Sequence, residues 1–353
     1  MARIIYGVHG TGRGHAVRAL TVARHYKAHE FLFVSHGEGA RLLRSQFQVL
    51  ECPNPVTVVG DHRVKCLPTA LRTGLTLAGG LYWMQEVQRA AENFQPEVAI
   101  TDYEFFVPRV ARAMGLPCVS LGNEHLMTRG RVVFPRGQIL NWLGTSSSVR
   151  FLFSSADQYL ISCFFDVPPR KADPLVRWVP ALIRDEVAAL RAETGNHVVA
   201  YQGYSTFAGF IGSLETLGRP VHVYGQGSGQ PKGAIVFKDF REQAFLKDLA
   251  TCAYVICGGG HTLISESLHL GKPILSIPVR GMFEQFLNAL HVDRYGYGKQ
   301  SSIANFSASV LQDFERQLDS YRTRIRERSF RGNDAVFAAL DDFIAGRWRP
   351  SRI

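Results

Sequence analysis

The run Cys257-Gly258-Gly259-Gly260-His261-Thr262 is the part of this chain best suited to chemistry. It follows the apolar residues Ala253-Tyr254-Val255-Ile256, which read as a buried strand, and it opens the helically spaced segment Thr262 to Leu270. Three glycines let a backbone approach a ligand closely, and the N–H groups of a first helical turn favour an anion. The run therefore predicts a phosphate or diphosphate cradle. Glu284, Gln285 and Asn288 follow, polar groups suited to sugar hydroxyls. A diphosphate cradle followed by hydroxyl-reading side chains points to a nucleotide-sugar site.

A second glycine loop, Gly10-Thr11-Gly12-Arg13-Gly14, stands after the apolar strand Arg3 to Val8 and is followed at once by His15. It lacks the last glycine of a dinucleotide fingerprint, and no acid sits at the end of the next strand to hold a ribose diol. It also lacks the Gly-Lys-Ser/Thr of a P-loop. A histidine opening a helix at the carboxyl end of a strand is placed as a general base. The helix N-terminus there disfavours the imidazolium, which predicts a neutral ring. Taken alone, such a histidine is more often a packing residue. Asp102 changes the balance, because it ends the strand Val98 to Thr101 and would open on the same sheet edge, where it can orient the ring. Glu124, in the loop after the strand Cys118 to Leu121, is a rival partner for His15. No G-x-S-x-G elbow accompanies them, so acyl chemistry has little support.

The elements that must hold these groups alternate between strand and helix through both halves of the chain, which predicts parallel sheets covered on both faces. With 353 residues, two domains are expected. The Pro- and charge-rich stretch Val167 to Pro174 reads as the linker between them, with a helix from Arg184 to Glu193 after it. Ser309 to Phe343 is helical by pattern and leads to a basic tail, Arg347 to Arg352. Leu71 to Val87 is unusually apolar; a core helix broken at Gly79-Gly80 is the favoured reading, a lipid- or membrane-facing segment the second.

The composition is that of an ordinary folded protein, 46% hydrophobic and 20% charged, with a formal charge of +10. The cations are scattered; the longest acid-free basic stretch lies between Glu124 and Asp157 and holds Arg129, Arg131, Arg136 and Arg150. A generally basic surface is the first reading, an anionic membrane surface the second, and nucleic acid is not expected as a partner. The six cysteines form no CxxC or Cys/His metal spacing, and no Asp-x-Asp motif offers a divalent-ion site, so neither cofactor nor metal is expected. No signal peptide and no 20-residue apolar run is visible, which predicts a cytoplasmic protein, peripheral at most on the inner face of the membrane.

The stretch AYVICGGGHTLISESLHLGKPILSIPVRGMFEQFLNA resembles the donor segment of GT-B glycosyltransferases, particularly the group of the peptidoglycan N-acetylglucosaminyltransferase that forms lipid II and related UDP-sugar transferases. GTGRGHAVRAL resembles the same group's N-terminal loop, and TDYEFFVPRVARAMGLPCVS the stretch with the acid of its His–Asp pair. The resemblance implies an α/β protein of GT-B architecture, two Rossmann-like parallel-sheet domains facing across a cleft. Residues 1–165 would bind acceptor and 166–180 would link. Residues 181–353 would bind the nucleotide sugar, their last helix, about 309–345, packing back on the first domain. It further implies an inverting, metal-independent transfer with His15 and Asp102 as the catalytic pair and Gly12, Arg13 and Gly14 as the acceptor loop; Glu124, read from its own position, could compete with Asp102 or act directly. For the donor it implies ribose held by Glu266, diphosphate held by Gly259, Gly260, His261 and Thr262, and sugar read by Glu284, Gln285 and Asn288. Gly203 and Ser205 would touch phosphate from the other side, and Phe240 would grip the base. Glu284 stands where the peptidoglycan member has Gln. The implied partners are a nucleotide-sugar donor and an acceptor that a lipid-linked molecule would suit. The alternatives are a UDP-GlcNAc 2-epimerase-like enzyme, a non-catalytic nucleotide-sugar-binding subunit and, weakest, a dinucleotide oxidoreductase.

Overall fold

A computed structural model describes residues 1–203, 207, 209–226 and 230–348, in two compact units. The first comprises residues 1–57, 66–184 and 331–353; the second comprises 58–65 and 185–330.

The first unit runs β1 (Arg3–Val8), α1 (Gly14–His25), β2 (Glu30–Ser35), α2 (Gly37–Arg44) and β3 (Gln48–Glu51). The short hairpin β4 (Val59–Gly60) and β5 (Arg63–Val64) then belongs to the second unit. The first resumes with α3 (Cys66–Ala78), α4 (Gly80–Phe94), β6 (Val98–Asp102), α5 (Val107–Ala113), β7 (Cys118–Gly122), α6 (Leu126–Arg129), α7 (Ile139–Leu152), β8 (Gln158–Ser162) and β9 (Val176–Val179). Its sheet has the order β3-β2-β1-β6-β7-β8-β9 with every neighbouring pair parallel. The continuous burial of β6, β7 and β8 is what a strand covered on both faces requires.

The second unit runs α8 (Asp185–Ala188), β10 (Val198–Tyr201), α9 (Phe210–Leu214), β11 (Val221–Tyr224), β12 (Ile235–Lys238), α10 (Glu242–Thr251) and β13 (Tyr254–Cys257). It continues with α11 (His261–His269), β14 (Ile274–Ser276), α12 (Phe283–Arg294), β15 (Gly298–Gln300), α13 (Ala308–Glu315) and α14 (Leu318–Arg326). Its sheet, also all parallel, has the order β12-β11-β10-β13-β14-β15. The hairpin joins it through backbone bonds from Val64 N–H to Arg280 O and from Arg280 N–H to His62 O.

Several boundaries differ from the sequence reading. The stretch 166–180 is no free linker: β9 lies within it as the seventh strand of the first sheet, paired with β8 from Tyr159↔Val176 to Ser162↔Val179. Residues 181–184 stay in the first unit, and the helix expected from Arg184 to Glu193 shortens to the single turn α8. The helical stretch from 309 divides into α13, α14 and α15 (Asn333–Ile344), and of these only α15 is in the first unit. Val336, Phe337, Leu340, Phe343 and Trp348 pack into the same core as Ile4, Tyr6 and Leu20. Asn333 fixes the return, its Oδ1 accepting from Ile183 N–H at 3.0 Å and its Nδ2 donating to Ile183 O at 2.7 Å. The favoured core reading of Leu71 to Val87 fails for α3, which has no buried residue; Leu67, Leu71 and Leu75, one helical turn apart, all face solvent.

Candidate active site

Each sheet reverses its strand order once, at β1/β6 in the first unit and at β10/β13 in the second. Loops leaving such a pair diverge to opposite faces and leave a crevice at the carboxyl ends of the strands. The predicted site residues gather at these two places.

At the first crevice the chain leaves β1 through His9 and Gly10, and α1 starts at Gly14. Gly10 must lack a side chain: a Cβ there would lie 1.7 Å from the His36 carbonyl oxygen. Asp102 is the last residue of β6, and Glu124 follows β7 by two residues, so adjacent parallel strands bring both acids to His15. His15 Nδ1 is 2.7 Å from Asp102 Oδ1 and 3.7 Å from Glu124 Oε1. An ionised carboxylate only accepts, so Nδ1–H donates to it and Nε2 is left to take a proton. The His15 side chain is 20% exposed, whereas that of Asp102 is wholly buried.

Arg18 completes the group and was missed in the sequence, although a lone arginine among Ala16, Val17, Ala19 and Leu20 on a buried helix was the available signal. Its Nε donates to Asp102 Oδ2 and its Nη2 to Asp102 Oδ1, each at 2.7 Å. Nη2 also stands 3.1 Å from His15 Nδ1 and 3.8 Å from Glu124 Oε1. Burial alone would raise the Asp102 pKa, but the charges of Arg18 and His15 and their hydrogen bonds hold it below the carboxylate range. For His15, burial pulls the pKa down, and the charge and hydrogen bond of Asp102, then Glu124, outweigh it against the opposition of Arg18. The net direction is upward, which corrects the expectation of a ring held neutral by the helix terminus: two adjacent carboxylates outweigh a partial dipole charge.

Aromatic rings close the crevice. Tyr103, in the left-handed region at φ 53°, stacks on Phe153 with centroids 3.9 Å apart and lies parallel to His15 at 6.2 Å. His9 meets His15 and His36 edge-on, and its Nδ1 accepts from Asn54 Nδ2 at 2.7 Å. Burial pushes His9 well down and His36 to about 4, the His15 charge assisting in both. Of the acceptor-loop residues, Gly12 and Gly14 flank Arg13, whose guanidinium pairs with Glu38 at 3.3 Å.

At the second crevice Gly258, Gly259 and Gly260 join β13 to α11, with Gly260 as an N-cap that brings no side chain. Gly259 has φ 103°, and a Cβ there would lie 2.7 Å from Gln285 O, so α12 packs directly on the turn. Asn288 Nδ2 donates to Gly259 O at 3.0 Å, and Gln285 Oε1 accepts from Val279 N–H at 3.1 Å. These two side chains therefore hold loops, while Glu284 lies half-buried in the first turn of α12. His261 and Thr262 form the first turn of α11, and Glu266, buried, falls in its second. After β10, Gln202 lies buried against Gly258 with no partner for its Nε2 among the described residues, and Gly203 follows, exposed. Phe240 stands in an aromatic cluster with Tyr201, Tyr224 and Phe245. Ser205 lies outside the described residues.

Among the described residues, His15–Asp102–Glu124 and His197–His222–Asp248 have spacing compatible with a metal ion. Both already contain a side-chain cation: Arg18 on Asp102, and Lys238 on Asp248 at 2.6 Å.

A model of the family described as glycosyl transferase family 1 matches residues 2–319. An uncharacterized glycosyltransferase of Methanosarcina acetivorans is 23% identical over an alignment covering 92% of this chain and 90% of the relative. One from Methanosarcina mazei is 24% identical with 92% of each chain covered. Among solved structures, Phytolacca americana UGT2 complexed with UDP-2fluoro-glucose and pterostilbene has a TM-score of 0.69 at 14% identity, covering 98% of this chain and 99% of that one. Acinetobacter baumannii MurG has a TM-score of 0.61 at 16% identity, covering 97% and 100%. At these identities the structural likeness is one of fold, and that fold is GT-B. The chain belongs to glycosyl transferase family 1 and is a glycosyltransferase of GT-B architecture.

Proposed function

We propose that this enzyme moves a sugar from a nucleoside-diphosphate donor, UDP-linked by preference, to an acceptor hydroxyl, in one inverting displacement without a metal. The observation that carries the reading is the 2.7 Å contact between His15 Nδ1 and Asp102, which turns Nε2 into a base at the switch point of the first sheet. Nε2 takes the acceptor hydroxyl proton as that oxygen bonds to the anomeric carbon. The bond from that carbon to the diphosphate breaks, its electron pair going to the departing phosphate oxygen. The glycine turn and the positive end of α11 stabilise the departing charge, the task a divalent ion would otherwise perform. Metal independence has a second support: the Arg18 guanidinium already neutralises the carboxylate that an ion bound at His15 would need.

Release of UDP only on addition of acceptor would separate transfer from 2-epimerisation or mere donor binding. A thermal-shift panel of UDP-, dTDP- and GDP-sugars identifies the nucleotide; a ligand at ~100 times its dissociation constant adds about 2.7 kcal/mol of stability.

The same reading includes a lipid-linked acceptor met at an anionic membrane surface. The leucine row of α3 is exposed, as are Leu140 (82%) and Phe151 (73%) on α7. Beside the end of α7 a cavity of about 780 Å³ is lined by Arg129, Arg150, Arg170 and Lys171. No helix among the described residues is long and apolar enough to cross a membrane. Binding to vesicles rich in anionic lipid should fall as salt rises and fall further in Leu75→Asp; equal sedimentation with and without vesicles removes the membrane from the account.

A further inference from the structure

Arg18 sits on α1 three residues after His15, so both side chains leave the same face of the helix. The fork it makes on Asp102 is two-pronged, buried and short at both prongs. A lysine, being a point charge, cannot reproduce it. We propose that Arg18 is a positioning residue for sugar transfer: it locks the Asp102 carboxylate in the plane that presents Oδ1 to His15 Nδ1, and its charge limits how tightly the two acids bind the imidazolium. The inference rests on His15 as the base.

The first half of the claim follows from geometry. A carboxylate held by one hydrogen bond can turn about its terminal torsion, whereas one gripped through both oxygens cannot. Oδ1 receives Arg18 Nη2–H and His15 Nδ1–H together, which aims the ring and leaves Nε2 outward.

The second half follows from the charges that face the imidazole. From β6 comes Asp102, from the loop after β7 Glu124, and from α1 Arg18. From the loop after β1 comes His9, held neutral by burial and accepting from Asn54, and from the turn after β6 the Tyr103 ring. Two carboxylates thus stand against one guanidinium, and the missing positive charge falls to His15. Without Arg18 the imidazolium would be held more tightly and less neutral base would exist at pH 7.

The test uses the full chain, wild type, Arg18→Lys and Arg18→Met. The His15 ring is titrated by NMR, and kcat and KM for donor and acceptor are measured across pH. In Arg18→Met the His15 midpoint should rise by about 1 pH unit, with the acid limb of kcat/KM moving up alongside it. Its kcat should fall on the order of 10–100-fold at nearly unchanged donor KM. Arg18→Lys should keep the wild-type midpoint yet retain the loss in kcat. An unmoved midpoint in folded Arg18→Met overturns the charge role, and full kcat in Arg18→Lys overturns the fork. The lysine variant decides the second point even if the methionine variant fails to fold. The titration does not depend on activity. A His15→Ala enzyme that still turns over would therefore sink the base assignment, whereas a null titration beside an inactive His15→Ala sinks only the role of Arg18.

Discussion

The two switch points of this molecule are alike in topology and opposite in material. At β1/β6 the crevice is made of side chains: Asp102 and Glu124 each lie within 4 Å of both His15 and Arg18, and their charges fix the protonation of the group. At β10/β13 it is made of backbone, a turn of three glycines capping α11, with Gln285 and Asn288 bracing the loops from behind. On the proposed reading, one place moves a proton and the other holds an anion. Side-chain chemistry fails when a functional group is exchanged, and backbone chemistry fails when a methyl is added.

The sharpest way to break this comparison is at Asp102. Asp102→Asn removes the carboxylate charge that stabilises the His15 imidazolium and brings an amide donor to a place where Nδ1–H needs an acceptor. Turnover should drop on the order of 10²–10⁴-fold, with donor binding unchanged when read by thermal shift. Glu124→Gln, at the longer 3.7 Å contact, should cost about tenfold and thereby rank the two acids; equal losses would make them joint partners.

A second contrast concerns stability. The first unit depends on a helix that arrives from the far end of the chain, whereas the second has no such dependence on α15. Leu340→Ala, fully buried on α15, should destabilise the first unit by about 2–5 kcal/mol. Hydrogen exchange should then quicken in β1 and β6 while β10 and β13 keep their protection. Uniform loss across both units would contradict that.

A third test adds one carbon to the anion site. Gly259→Ala forces a side chain onto a φ of 103° and against Gln285 O. Most of the roughly 2.7 kcal/mol of donor stabilisation expected at saturating ligand should vanish, while the His15 titration stays in place.

The fourth concerns pH. Burial depresses His36 to about 4 and His125 to about 3, and holds His9 low, all in the first unit; in the second it depresses His291 to about 4 and lowers His197. Below pH 6.5 the unfolded chain takes protons that these rings refuse, so stability falls as pH falls from 6.5 toward 4. Each titrating ring contributes a slope of about 1.4 kcal/mol per pH unit. His15 has the opposite sign: its raised pKa stabilises fully below 6.5, and that contribution is lost as pH rises through the folded value. Urea midpoints between pH 4 and 8 test this, and a flat acid side would contradict it.

What was legible in the sequence was local. Glycines between an apolar run and an amphipathic segment place a loop at a strand end, and parallel alternation puts such loops on one edge, so the meeting of His15 with Asp102 could be anticipated. Arg18 escaped because a single arginine on a helix reads as a solvated face; only the fold shows that its partner is the buried Asp102. The return of α15 and the transfer of the 58–65 hairpin depend on contacts between residues hundreds or tens of positions apart, which no local pattern encodes. The prolines and charges around 167–174 read as an interdomain linker because β9 after them is short and half-buried and carries little alternation.

The central claim is that the first unit supplies the base and the second grips the donor. It is tested most directly by one paired measurement on His15→Ala: turnover with acceptor, and thermal shift with the UDP-sugar the wild type prefers. The account predicts a full shift with turnover reduced on the order of 10²-fold or more; near-normal turnover, or a shift lost together with turnover, would contradict it.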